Sequence, residues 1–308
     1  MAQVEIKNLI DNIGKVIIGK DETVKLLLVG LLTNGHILIE DVPGTGKTML
    51  ALALAKSIQA DFKRIQFTPD LLPSDVTGGF IYNSKTGEFD FHQGPVFTNI
   101  LLADEINRTT PRTQSALLEC MQEAKITLEG KTFSLPKPFM VVATQNPIEY
   151  QGTYPLPEAQ IDRFLMLVRM GYLSPEDEVK VISGQQRQHP IESLSAVMET
   201  SRLVALQEEV KKIEVSIHLL QYITRLVSAT RKNDSIKLGA SPRASIALMK
   251  AAAAWALLEG RNYAIPEDVV FLLPHILTHR LILHPKVSIA GKNTQDIIKE
   301  LVHSVAIP

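Results

Sequence analysis

Ile37-Leu38-Ile39-Glu40-Asp41-Val42-Pro43-Gly44-Thr45-Gly46-Lys47-Thr48 is the stretch on which the fold turns. Three apolar residues of the kind that fill a buried strand run into a glycine-rich turn. The turn runs into an Ala- and Leu-rich helical pattern from Lys47 to Ile58. Glycines let backbone N–H groups converge on an anion, and the helix N-terminus adds partial positive charge. In this context Lys47 would reach β- and γ-phosphates and the Thr48 hydroxyl would ligate Mg²⁺. The usual pattern has glycine where this chain has Asp41. Aspartate tolerates unusual backbone angles better than most residues, so the turn is expected to survive.

Outward from this stretch, short apolar runs alternate with helical patterns. Candidate strands are residues 37–39, 64–67, 100–103, 140–143 and 164–168, and the main intervening helices are 47–58 and 112–124. Such alternation predicts an α/β fold, a three-layer core around a parallel sheet. Two hairpins are expected to project from it, at about 78–96, turning at Ser84-Lys85-Thr86-Gly87, and at about 125–136, turning at Glu129-Gly130-Lys131. After Gly171 only helical patterns follow: a start at Ser174-Pro175, then 201–212, 216–232, 242–259, 266–283 and 293–305. The expected division is a core over 1–172 and an all-α lid over 173–308.

Composition narrows the function. The chain has 308 residues, with 32 Lys and Arg against 33 Asp and Glu and a formal charge of -1. That balance disfavours a protein that mainly grips nucleic-acid backbones, so no nucleic-acid partner is expected. The single cysteine, Cys120, cannot form an intramolecular disulfide, which points to a reducing, cytoplasmic setting. The Met1–Glu5 start lacks the basic and apolar regions of a secretory signal, and no apolar run is long enough to span a membrane.

Other chemistry-bearing residues fall at strand ends. Ile100-Leu101-Leu102-Ala103-Asp104-Glu105 is an apolar strand that ends in two carboxylates. There Asp104 can hold Mg²⁺ and Glu105 can orient or deprotonate an attacking water, although a strand followed by an acidic helix cap has the same pattern. Asn146, after the strand 140–143, either positions that water or merely turns the chain before Pro147. Arg163 can complete a neighbour's ATP site in trans, or pair with Asp162 on the surface. Arg243, in the first turn of a helix that begins at Ser241-Pro242, is at the unfavourable end of the helix dipole for a cation. A phosphate partner would explain it; a solvent-facing arginine is the alternative.

Together these residues resemble the MoxR family of AAA+ ATPases, of the helix-2-insert type, over nearly the whole chain. Val42 to Thr48 looks like its Walker A, Leu101 to Arg108 like Walker B, and Ala143 to Pro147 like sensor 1. Pro157 to Phe164 matches the arginine-finger segment and Ser241-Pro242-Arg243 matches sensor 2. Val16-Ile17-Ile18-Gly19 resembles the segment that packs on adenine. The resemblance implies a P-loop NTPase core with a five-stranded sheet, a helical lid and use of ATP and Mg²⁺. It also implies a homo-oligomeric, usually hexameric ring that remodels or matures client proteins, partners with a von Willebrand factor A domain being typical. The implied nucleotide contacts are Ile18, Gly19, Pro43, Gly44, Thr45, Gly46, Lys47, Thr48 and Met49, with Thr48 and Asp104 at the metal and Glu105, Asn146, Arg163 and Arg243 catalytic. A DNA-acting motor like the MCM rings, or a magnesium-chelatase-like motor subunit, would share these motifs and insertions.

Smaller features have two readings each. His275 and His279, four apart on an expected helix, are metal ligands or two helix-surface histidines. Cys120 lies among Leu117, Leu118 and Met121, which favours a structural thiol over a nucleophile. Phe89 and Phe91 share a hairpin face and serve either a client or the hairpin's own packing.

Overall fold

The structure, a computed structural model, describes residues 2–147, 152–186 and 189–307. Met1 and Pro308, the outer limits of the two expected domains, lie outside the described residues. Helices α1 (Ala2–Gly14) and α2 (Asp21–Leu32) precede the glycine-rich turn. Then come β1 (Ile37–Glu40), α3 (Lys47–Ser57), β2 (Phe62–Gln66) and α4 (Pro73–Thr77). Next are β3 (Gly78–Asn83), β4 (Glu88–Gln93), β5 (Ile100–Asp104), α5 (Pro111–Glu123), β6 (Lys125–Leu128) and β7 (Lys131–Ser134). The core closes with β8 (Met140–Gln145), α6 (Glu158–Ile161) and β9 (Met166–Val168).

Strands β2-β5-β8-β1-β9, in that order, form a five-stranded parallel sheet. Every non-consecutive neighbour is a crossover, so helices cover both faces. Alternate residues of each strand enter two different apolar clusters, as the pleat requires. Ile37, Ile39, Ile100, Leu102, Met140, Val142, Met166 and Val168 face α1–α3, whereas Leu38, Leu101, Ala103, Val141, Ala143 and Leu167 face α5. Strands buried on both faces explain why they read as unbroken apolar runs.

Both hairpins form. β3 pairs with β4 across the four-residue turn 84–87, and β6 with β7 across Glu129-Gly130. They lean on each other through Phe91 and Phe133, whose rings stack at 4.2 Å, with Phe80 and Phe97 alongside. The two readings of Phe89 and Phe91 thus divide. Phe91 packs within the hairpins, while Phe89 is 67% exposed and, among the described aromatic rings, touches only Tyr82.

The rest of the chain, which includes the helical lid, comprises α7 (Pro175–Gly184), α8 (Thr200–Val210), α9 (Ile217–Lys232), β10 (Ile236–Leu238), α10 (Pro242–Leu258), α11 (Pro266–Leu277), β11 (Ile282–Leu283), α12 (Pro285–Ile289) and α13 (Thr294–Ser304). It is helical apart from the short antiparallel pair β10–β11. The expected starts hold: Ser174, Ser216, Ser241 and Asn293 each cap a helix by accepting a backbone N–H. The helix expected over 266–283 instead stops at Leu277, passes through a 3₁₀ turn at Thr278–Arg280 and ends in β11. Arg280 is the reason: its guanidinium is buried and bonded to the core, which requires the chain to leave the helical path there.

Core and lid share one apolar cluster, because α1 and α2 pack against α8 and α10 as well as α3. Polar contacts reinforce the join: Arg202 pairs with Glu5, Gln207 Nε2 donates to the Leu31 carbonyl, and Lys25 reaches Glu259. Ala251 to Ala254 are buried, as tight helix packing in α10 requires. Cys120 is buried too, donates to the Ala116 carbonyl and is pushed up to about 12 by burial, so it is a structural thiol. His275 and His279 do not share a helix, and no cluster of three metal-ligating side chains occurs among the described residues.

His36, just before β1, is fully enclosed. Its Nδ1 accepts from Val141 N at 3.0 Å, and its Nε2 donates to the Met121 carbonyl at 2.8 Å, fixing one neutral tautomer. Burial lowers its pKa to about 4. The unfolded chain therefore takes up a proton below about pH 6.5 that the fold refuses, so stability present above that pH is lost as pH falls toward 4. We expect the loss to reach about 3 kcal/mol in denaturant titrations. His36→Gln should flatten that part of the pH profile, and an unchanged profile would contradict the assignment.

Candidate functional site

The carboxyl ends of β1, β5 and β8 meet at one edge, the general location of ligand clefts in parallel sheets. There Pro43, Gly44, Gly46, Lys47, Thr48, Met49, Asp104, Glu105 and Asn146 line a cleft of about 410 Å³ together with Arg64 and Gln66. Gly44 and Gly46 have φ of +85° and +89°, and a Cβ on either would meet nothing within 4 Å. The glycines keep open a cradle that side chains would narrow, above the N-terminus of α3. Thr45 lies in the turn but not on the cleft wall; its hydroxyl donates to the Val42 carbonyl at 3.3 Å.

Lys47 Nζ donates to the Asp41 carbonyl at 2.8 Å. Burial lowers the Lys47 pKa, while Asp41, Asp104 and Glu105 act in the opposite sense and favour the ammonium. Asp41 is not held in the left-handed region, so tolerance of unusual angles is not why aspartate replaces glycine here. Its carboxylate is instead fully engaged, with Oδ1 accepting from Val42 N and Oδ2 from Met170 N and Gly171 N.

Each acid of the pair is held in its own way. Thr144 Oγ1 donates to Asp104 Oδ1 at 2.6 Å, and Arg64 Nη2 donates to Asp104 Oδ2 at 2.7 Å. Glu105 has φ of 56°, a costly conformation for this residue, with its N–H bonded to Thr144 Oγ1 at 2.9 Å. Its carboxylate accepts from Gln66 Nε2 at 2.6 Å and from Arg108 at 3.1 Å. Arg64, Gln66 and Thr144 were missed by sequence reasoning. Their only signal is register: Gln66 lies opposite Asp104 once β2 is known to flank β5, and Arg64 shares its face.

Arg163 and Arg243 are not in this cleft. They line a second one of about 260 Å³ between core and lid, with Asp162, Lys250 and Arg280. Arg163 donates to the Leu118 carbonyl at 2.9 Å and does not take Asp162. Asp162 instead binds Arg280 at 2.7 Å, accepts from Ser241 Oγ at 3.0 Å and lies 4.0 Å from Arg243. Arg280 also donates to the carbonyls of Phe164 and Leu165, so the lid holds the segment that carries Arg163. Ile18 and Gly19 line neither cleft; Gly19 abuts Asp177 in the first turn of α7. Chemically, the first cleft can bind an anion and a hard cation beside a carboxylate base, and the second offers cations to an anion arriving from outside.

Removing the Arg280 guanidinium would strand Asp162 and several carbonyls. Arg280→Met should cost about 3 kcal/mol in equilibrium unfolding. A loss no larger than that of an exposed arginine would contradict its place as the link.

Comparisons with known proteins agree with this architecture. Residues 36–166 match the model of the ATPase family associated with various cellular activities (AAA), and residues 228–301 match the AAA lid domain. The chain is 54% identical to the uncharacterized protein YeaC of Bacillus subtilis, over 97% of this chain and 93% of that one. It is 43% identical to Chaperone MoxR1 of Mycobacterium tuberculosis, over 98% and 82%. Identity to Protein MoxR of Paracoccus denitrificans is 32%, over 88% and 86%. A crystal structure of a Cytophaga hutchinsonii protein, described as an ATPase by inference, superposes with a TM-score of 0.92 at 42% identity, covering 100% of this chain and 96% of that one. With its parallel core, helical lid and these relatives, the chain belongs to the MoxR family of AAA+ ATPases.

Proposed function

We propose that this ATPase depends on Mg²⁺ and acts in the cytoplasm as a homo-oligomeric ring, of six copies by family analogy, that remodels or matures client proteins. Partners with a von Willebrand factor A domain fit the family. The observation that carries the reading is the separation of the two clefts. Lys47, Thr48, Asp104, Glu105 and Asn146 line one, whereas Arg163 and Arg243 line the other. Such an arrangement supports sites completed between copies.

In this reading the phosphates lie on the cradle of Gly44 and Gly46, with Pro43, Thr45 and Met49 shaping the turn and Ile18 and Gly19 on the adenine side. The Thr48 hydroxyl and the Asp104 carboxylate are hard oxygen donors suited to Mg²⁺, which supplies charge neutralisation when bound. Arg64 already engages Asp104 Oδ2, so a cation there competes with it. Lys47 meets the outer phosphates. Glu105 takes the proton of the attacking water and Asn146 orients that water. Arg163 from a neighbour offsets charge in the transition state, a contribution of about 4–7 kcal/mol for such fingers, with Arg243 assisting. The division into core 1–172 and lid 173–308 follows the linker between β9 and α7. The exposed Phe89 and Tyr82 give the first hairpin an apolar tip for clients.

Glu105→Gln should lower turnover at least about 100-fold while ATP still binds. Lys47→Ala should weaken ATP binding itself, and intact turnover in both variants would refute the site. Mixing inactive Glu105→Gln and Arg163→Ala chains should restore some turnover, because some interfaces then combine an intact base with an intact finger. No recovery in verified mixed assemblies would contradict the trans role. Strong stimulation by DNA with steep salt dependence would contradict the protein-client reading.

A further inference from the structure

Asp41 does work that a glycine at that place could not. Its side chain is buried, and both carboxylate oxygens are used: Oδ1 accepts from Val42 N at 2.8 Å, and Oδ2 from Met170 N at 3.0 Å and Gly171 N at 2.7 Å. Its own carbonyl accepts from Lys47 Nζ at 2.8 Å. Met170 and Gly171 lie between the end of β9 at Val168 and the lid's first N-cap, Ser174, so they are the route from the sheet into the lid. The same linker is gripped from the other side by Lys20, whose Nζ donates to the carbonyls of Met170 at 2.6 Å and Tyr172 at 2.8 Å.

We propose that Asp41 is a positioning residue that ties the phosphate turn to the lid linker, so that engagement of Lys47 by an anion is transmitted to residues 170–172. The inference rests on the reading of the first cleft as the ATP site. A single ammonium serves both the Asp41 carbonyl and any phosphate on the cradle. When a phosphate draws Lys47 away, the 41–42 peptide loses its donor and can tilt. Asp41's carboxylate, rooted on the same residue, then carries that tilt to the two linker amides. Glycine would provide the same carbonyl and the same turn but no carboxylate. It would therefore support phosphate binding without the link. Lys20 acts on the opposite edge of the linker and sets the position from which it moves.

The test uses the full chain with Asp41→Gly, Asp41→Asn and Lys20→Met. ATP affinity with Mg²⁺ is measured by calorimetry, turnover by phosphate release, and hydrogen exchange of the 168–174 segment with and without ATP. Calorimetry and exchange are done in a Glu105→Gln background so that ATP persists. In the parent, ATP should change exchange at Met170 and Gly171. Asp41→Gly should keep ATP affinity within about threefold, lower turnover about tenfold and abolish the exchange response, a split between binding and kcat. Asp41→Asn, which keeps one acceptor oxygen for the linker, should lie between. Lys20→Met should lower turnover without weakening ATP binding. If Asp41→Gly does not fold by thermal unfolding, the other two variants decide by the same criteria. An unaltered exchange response and turnover in the variants would overturn the proposal. So would a loss confined to ATP affinity, which would make Asp41 part of the turn alone. A parent chain that binds no ATP would sink the site reading and the coupling together, whereas ATP binding with indifferent variants sinks only the coupling.

Discussion

The position of β8 between β5 and β1 is the constraint on which the cleft depends. Thr144, near the end of β8, bonds Asp104 through its hydroxyl and receives the N–H of Glu105, so one side chain fixes both acids. On the other edge of the same strand, Gln145 Nε2 donates to Glu40, and the Gln145 carbonyl accepts from Asp41 N at 3.3 Å. The phosphate turn and the acidic pair are far apart in sequence and share no direct strand pairing. Their geometry is set by β8. The start of β8 is held in turn by His36, which joins Val141 to the end of α5. Side-chain hydrogen bonds thus hold this strand near its buried start and again at its cleft end.

A second set of hydrogen bonds runs from the cleft to the lid. Asp41 holds the outgoing linker, and Arg280 returns from the lid to hold residues 162–165. Between them lies β9, paired with β1. The lid is therefore fastened to the core at both sides of one short strand, and the apolar cluster through α1 and α2 supports the join. One fastening adjoins the turn that carries Lys47, and the other holds the segment that carries Arg163.

Much of this was legible in the sequence because its signals are local. The turn 43–48, the apolar strands, the hairpin turns and the Ser-Pro helix starts each announce themselves within a few residues. What was not legible depends on strand order or on distant partners. Arg64 and Gln66 gain meaning only beside Asp104, and Arg280 only beside Asp162. The left-handed backbone of Glu105 has no local sequence signature, since the Thr144 hydroxyl from another strand helps hold it. The helix expected over 266–283 failed for the same reason: its apolar pattern continues, but the chain bends to bring Arg280 to the core. Asp41 was seen as a departure from the usual turn. Its reason lies some 130 residues away, at amides that no motif marks.

The first cleft presents the glycine-rich turn with Lys47 beside two carboxylates, and the second presents Arg163 and Arg243. The central claim is that a working site needs groups from two copies. It is tested most directly by the turnover per chain as protein concentration is raised through the range where assembly occurs, followed in parallel by mass-resolved sedimentation. Turnover per chain should rise with the assembled fraction and level off when assembly is complete. Full turnover per chain in the monomeric range would contradict the account.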